Sequence, residues 1–132
     1  MRTRIVALAM LTVFAAVSAD AHHADVAYDA AKAFQLKNAK VISYLWRNPH
    51  GVLVCEVTDE TGAVVRWTLE TGSPSSMMNA GWNRNSVVAG DVVAIDINPA
   101  RNGTRFGRLR RVTKADGSVF GVGAAERPAP SQ

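Results

Sequence analysis

The chain predicts an all-β fold with one short helix, built as a small OB-fold-like barrel of five strands with the helix between strands 3 and 4. Runs rich in β-branched and aromatic residues recur along it, separated by turn signals. A single helix start, Ser73-Pro74, falls after the third run. Strand, strand, strand, helix, strand, strand is the OB order, and closing such a sheet removes the edges an open one would expose. A β-sandwich lacking the helix is the competing architecture.

The N-terminal arm, residues 22–35, is Ala-rich after His22-His23 and contains Asp25, Tyr28 and Asp29, which fits an extended segment or one helical turn. The barrel domain spans residues 36–122. Residues 35–47 read as the first strand through Val41-Ile42-Ser43-Tyr44-Leu45-Trp46, and Asn48-Pro49 breaks it because proline cannot donate to a ladder. Residues 50–58 form the second strand, and Asp59-Glu60-Thr61-Gly62 the turn after it. In residues 64–70, Val65, Trp67 and Leu69 alternate with Arg66, Thr68 and Glu70, the pattern of a half-buried third strand.

Ser73 caps the helix, Pro74 takes its first position, and it runs through Met77 and Met78 to a stop at Gly81. Trp82 follows and is expected to plug a barrel end. Trp67 is expected in the core, and Trp46 fits either a core or a surface role. Gly90-Asp91 turns into the fourth strand, where Val93, Ile95 and Ile97 share a face. Residues 99–104 are a loop and residues 106–113 the fifth strand. Asp116-Gly117 then turns into a short Ser118-Val119-Phe120, and residues 123–132 read as a disordered tail.

Residues 1–21 carry the three parts of a secretory signal peptide: Arg2 and Arg4, an apolar run over residues 5–17, and Ser18-Ala19-Asp20-Ala21. The apolar run is well short of the roughly 20 residues a membrane-spanning helix needs. No later stretch is long and apolar enough to span a bilayer, so a periplasmic or secreted protein without a transmembrane segment after cleavage is expected. Cleavage after Ala21 and after Ala19 both satisfy the small-x-small rule, with Ala21 favoured. The formal charge of +4 is mildly basic and says little alone. Cys55 is the single cysteine, which excludes an intrachain disulfide, and its apolar run, residues 52–55, suits a buried small hydrophobe.

Histidine is concentrated in three residues, His22, His23 and His50. Cleavage after Ala21 makes His22 the first residue, and a free amine beside its imidazole Nδ1 is a bidentate chelator. Cleavage after Ala19 instead puts a histidine third, as in the amino-terminal copper and nickel site of serum albumins. Copper(II) favours nitrogen ligands in a square or tetragonal array. The proposed set is the amine and ring of His22, with His50 opposite and His23 as alternate or fourth ligand. The arrangement looks like the copper clamp of lytic polysaccharide monooxygenases, whose sandwich folds differ, so only the local chemistry carries over. The competing reading is that His50, beside a proline, simply bonds backbone and shapes its turn.

A second class of function rests on Arg101, Arg105, Arg108, Arg110, Arg111 and Lys114, which crowd the last main strand and its loop with no acid between them. With Trp46 nearby they suit an anionic partner: a polysaccharide, a lipid headgroup or a protein. Nucleic acid is a poor candidate for an exported protein. The bland alternative is a solvated strand face balancing Asp91 and Asp96. No nucleophile elbow, phosphate loop, His-Glu-x-x-His or cysteine pair occurs, and Asp25, Asp29 and Glu56 have no evident partner. The expectation is a binding protein rather than an enzyme, with copper as the one cofactor indicated.

The leader followed by His22-His23, then Leu36-Lys37, Trp46-x-Asn48-Pro49-His50, Gly62 with Trp67, Ser73-Pro74, Gly81-Trp82 and Gly90-Asp91 occur together in this order. In that order the chain resembles a family of short exported bacterial proteins classed as a domain of unknown function, over residues 22–120. The departures are Ala24 where a serine is usual, Asn38 in place of glycine, and Met77-Met78 in place of leucine and a basic residue. Asparagine tolerates left-handed backbone, so the bend at Asn38 is expected to persist. The resemblance implies a fold and a compartment, and no activity.

Overall fold

The computed structural model describes residues 27–123. The leader, His22, His23, Asp25 and the tail beyond residue 123 lie outside the described residues. Six strands follow in chain order: β1 (Phe34–Leu45), β2 (Val52–Thr58), β3 (Val64–Glu70), β4 (Val92–Pro99), β5 (Phe106–Lys114) and β6 (Val119–Gly121). One helix, α1 (Pro74–Asn79), lies between β3 and β4. They form a single sheet in the order β3-β2-β1-β4-β5-β6, and β3 also pairs with β5. That last pairing is parallel, Thr68 to Glu70 against Phe106 to Arg108, and it closes β1 to β5 into a barrel. A sandwich has no such closure. β6 extends the β5 edge as a hairpin.

The long β1 serves two neighbours, which requires it to bend. Its first part runs along β4, and its register shifts between Leu36 and Ala39, where Asn38 adopts φ 51°. The left-handed residue expected at that position is therefore present, carried by asparagine. A second shift between Val41 and Ser43 lies in the part paired with β2. Each extra residue bends and twists the strand, which is how one chain segment wraps a small barrel.

Period-2 alternation fills the interior. Leu53, Cys55 and Val57 of β2, Val93, Ile95 and Ile97 of β4, and Leu69, Leu109 and Val112 are buried in one core. Burial pushes the Cys55 thiol up to about 11, so it packs as a small apolar group. On β5 the alternation breaks because the register with β4 skips from Leu109 to Arg111. Arg110 is the extra residue, so neither Arg110 nor Arg111 enters the core.

Helix α1 begins as read: the Ser73 hydroxyl accepts from the Ser76 N–H at 3.2 Å, Pro74 occupies the first turn, and Gly81 exits at φ 91°. Met77 is its buried residue. Trp82 is 2% exposed and donates its indole N–H to the Gly121 carbonyl at 2.9 Å, with the Tyr44 and Phe120 rings against it. Trp82 is thus buried and anchored, as a plug would be.

Several boundaries and assignments differ from the sequence reading. Trp67 is only half-buried; it lies at the margin of the core, edge-on to Phe34 at 5.6 Å, because β1 there pairs with β4 and leaves a cleft between Phe34 and the β2–β3 end. Trp46 is partly buried against Tyr44. β1 starts at Phe34, and β2 starts at Val52, so His50 belongs to the loop. Glu56 has a partner after all, Arg66 on the neighbouring strand at 2.7 Å. Asp29 caps a 3-10 turn, Ala30–Lys32, by accepting from the Ala31 N–H. No helix among the described residues is long and apolar enough to cross a membrane.

Candidate functional site: a histidine–carboxylate cleft

His50 is placed by a short loop stitched to the end of β3. The Asn48–Pro49 peptide is cis, and Gly51 then donates to the Gly72 carbonyl at 3.1 Å while its own carbonyl accepts from Thr71 at 2.9 Å. These bonds bring the imidazole over β3. Its Nδ1 lies 3.3 Å from the Thr71 carbonyl oxygen and 3.4 Å from Glu70 Oε1. Both neighbours are acceptors, an arrangement that favours the neutral form with its proton on Nδ1 and its lone pair on Nε2. The His50 side chain is 45% exposed, which leaves the ring accessible.

Glu70 is the hub of the site. While Oε1 faces His50, Oε2 accepts a hydrogen bond from the Tyr28 hydroxyl at 2.9 Å. Tyr28 belongs to the arm, which is bound along the β4–β5 loop: Tyr28 bridges Ala100, Asp29 donates to the Pro99 carbonyl at 2.8 Å, and Arg101 donates to the Ala27 carbonyl at 3.0 Å. Strand register supplies the other walls. Val52 is opposite Glu70, Thr68 is opposite Phe106, and Glu70 is opposite Arg108. The result is a cleft of about 420 Å³ between the arm, the β1–β2 loop (Arg47, Asn48, Pro49, His50) and the outer face of β2, β3 and β5. OB barrels commonly place ligands on this face and its flanking loops.

Burial pushes the Tyr28 hydroxyl up to about 12, helped by its bond to Glu70 and that carboxylate's charge, and opposed by the Arg108 guanidinium. Burial likewise lifts Tyr44 to about 12; its hydroxyl makes no hydrogen bond of standard geometry, and the neighbouring Thr71 hydroxyl pulls the other way. These are the chain's two tyrosines. An unfolded tyrosine ionises near pH 10, so between about pH 10 and 12 the unfolded state releases protons that the folded state retains, and stability falls as pH rises through that window. The native protein should therefore show tyrosinate absorbance only near pH 12, accompanied by loss of the fold. Native ionisation near pH 10 would contradict the burial.

The structure separates the residues picked out from sequence. His50 lies in the cleft, whereas His22 and His23 are outside the described residues. Among the described residues no group of three or more His, Cys, Asp or Glu gathers to hold a metal. The basic residues lie along β5 and its loop, and several of them face acids. Arg105 faces Asp59 at 3.9 Å in a cleft with Trp67, Arg111 faces Asp96 at 3.7 Å, and Lys114 faces Asp91 at 3.2 Å. Arg110 shares the Arg111 cleft, Arg108 lies beside Glu70, and Arg101 is in the loop that carries the arm. Trp46 is packed on Tyr44. Sequence reasoning missed Tyr28 and Glu70. The one available signal was the outward parity of Glu70 on its strand.

Fold and site together define a small closed β-barrel with a histidine–carboxylate cleft on its β2–β3 face. The chain belongs to the family of unknown function DUF6152, whose pattern matches residues 10–110. No curated protein and no solved structure matches it.

Proposed function

We propose that this is an exported binding protein that holds a copper(II) ion in the His50 cleft without transforming a substrate. The ligands are His50 Nε2 and the amine and ring of His22 at the mature terminus, with His23 as alternate or fourth ligand. One observation carries the reading: the Thr71 carbonyl and Glu70 occupy Nδ1 of His50 and leave Nε2 to coordinate. A carboxylate behind a ligating imidazole is the usual outer-shell partner of a metal site, fixing the tautomer and raising ligand basicity. Tyr28 lines the same cleft as His50, and the stretch from His22 to Tyr28 extends at most about 20 Å, enough to bring the terminus back to it. Nitrogen donors in a tetragonal array select copper(II) over other first-row divalent ions.

Electron paramagnetic resonance and calorimetry with copper(II) test the reading on protein whose first residue has been established by mass spectrometry. The expected result is one tight nitrogen-rich site that weakens below about pH 6, as the donors become protonated. His50→Ala, or a methionine left ahead of His22, should reduce affinity by at least about tenfold, the loss of one ligand or of the chelating amine. Equal copper binding by parent, His50→Ala and the extended protein would overturn it.

A further inference from the structure

We infer that Tyr28 is a positioning residue for His50, acting through Glu70, so that docking of the N-terminal arm and orientation of the imidazole are one event. The inference deepens the copper reading, yet it concerns the metal-free protein and is testable without metal. Tyr28, Glu70 and His50 come from three separate parts of the chain: the arm, the end of β3 and the β1–β2 loop. One carboxylate links the three side chains, taking the Tyr28 hydroxyl at 2.9 Å on Oε2 and facing His50 Nδ1 at 3.4 Å with Oε1.

The Glu70 side chain is 28% exposed, so it has room to turn toward water when nothing holds its second oxygen. Tyr28 supplies that hold. Its hydroxyl donates along one direction, and its backbone is fixed by the bridge to Ala100. With Oε2 engaged, Oε1 remains over the β1–β2 loop, where its negative charge favours the imidazole form protonated on Nδ1. The Thr71 carbonyl, 3.3 Å from the same nitrogen, favours the same form. Free histidine in water prefers the opposite tautomer, protonated on Nε2, which presents no lone pair there. Tyr28 therefore biases His50 toward its ligating form before any metal arrives, and an undocked arm relaxes that bias.

The test is a long-range proton–nitrogen NMR spectrum of the three histidine rings in the ¹⁵N-labelled, metal-free mature protein at a pH where the imidazoles are neutral. His50→Ala identifies the His50 signals. The parent should show His50 mainly as the Nδ1–H form. Tyr28→Phe keeps the ring and the backbone bridge, and it should raise the Nε2–H to Nδ1–H ratio roughly threefold or more, the size of one hydrogen bond's influence. Glu70→Gln should raise it at least as much, and adding Tyr28→Phe to Glu70→Gln should change it no further, because the tyrosine acts only through the carboxylate. A tautomer ratio in Tyr28→Phe equal to the parent's overturns the inference. So does an effect of Tyr28→Phe that is as large in the Glu70→Gln protein as in the parent. If the tautomer shifts as expected while the parent fails to bind copper(II), the positioning role stands and the copper reading alone falls.

Discussion

Trp82→Ala should remove about a fifth or more of the protein's stability. The side chain is 2% exposed, and the Tyr44 and Phe120 rings lie 6.1 Å and 5.3 Å from it, centroid to centroid. Truncating a buried tryptophan costs about 3–5 kcal/mol, because the lost burial is compounded by a cavity that the surrounding strands only partly fill. Against a total stability of roughly 5–15 kcal/mol, that is a large fraction. At about 4–8 °C per kcal/mol for a domain of this size, the thermal midpoint should fall by more than about 12 °C. Trp82→Phe separates the two contributions. It keeps most of the apolar contact but leaves the Gly121 carbonyl without its indole donor, which should cost about 1–3 kcal/mol. A melting temperature for Trp82→Ala within a few degrees of the parent's would show that Trp82 is not a structural plug.

Gly51→Ala should destabilise the fold and disturb His50 together. Gly51 has no need of a left-handed backbone; its constraint is space. A Cβ there would stand 2.5 Å from the Thr71 hydroxyl oxygen and 3.0 Å from the Leu45 carbonyl oxygen. Thr71 is 3% exposed, so its side chain has little room to retreat, and the Leu45 oxygen is backbone. Such crowding typically costs about 1–3 kcal/mol. Relief requires the loop to lift from β3, which lengthens the Gly51–Gly72 and Thr71–Gly51 bonds and moves the neighbouring imidazole away from the Thr71 carbonyl. Urea unfolding should show the lower midpoint, and the histidine-ring spectrum should show His50 losing its Nδ1–H preference. A parent-like midpoint with unchanged His50 signals would mean that the close approach constrains nothing.

Much of the barrel was legible because its signals are local. Alternation through Val93, Ile95 and Ile97 identifies a half-buried strand from residues two apart, and Ser73-Pro74 marks a helix start from neighbours within one turn. Trp67 was misplaced because alternation gives the side a residue faces but not how far its barrel wall is closed. Closure there depends on where β1 leaves β4 for β2, which bulges decide. The six basic residues are close together in sequence, which shows none of their partners. In space, the bulge at Arg110 and the acids on β4 and the loops distribute Arg105, Arg111 and Lys114 among separate partners.

The sequence by itself determined the strand order, the capped helix and the buried cysteine, each through patterns spanning a few residues, and it singled out His50 as a candidate. Only the tertiary structure decided what His50 stands beside. Glu70 reaches it because β2 and β3 pair with Val52 opposite Glu70, and Tyr28 reaches Glu70 because the arm binds back along Ala100. The bond between Tyr28 and Glu70 alone joins residues 42 positions apart in the chain. Pairing register and barrel closure set such distances, and no local pattern of residues encodes them.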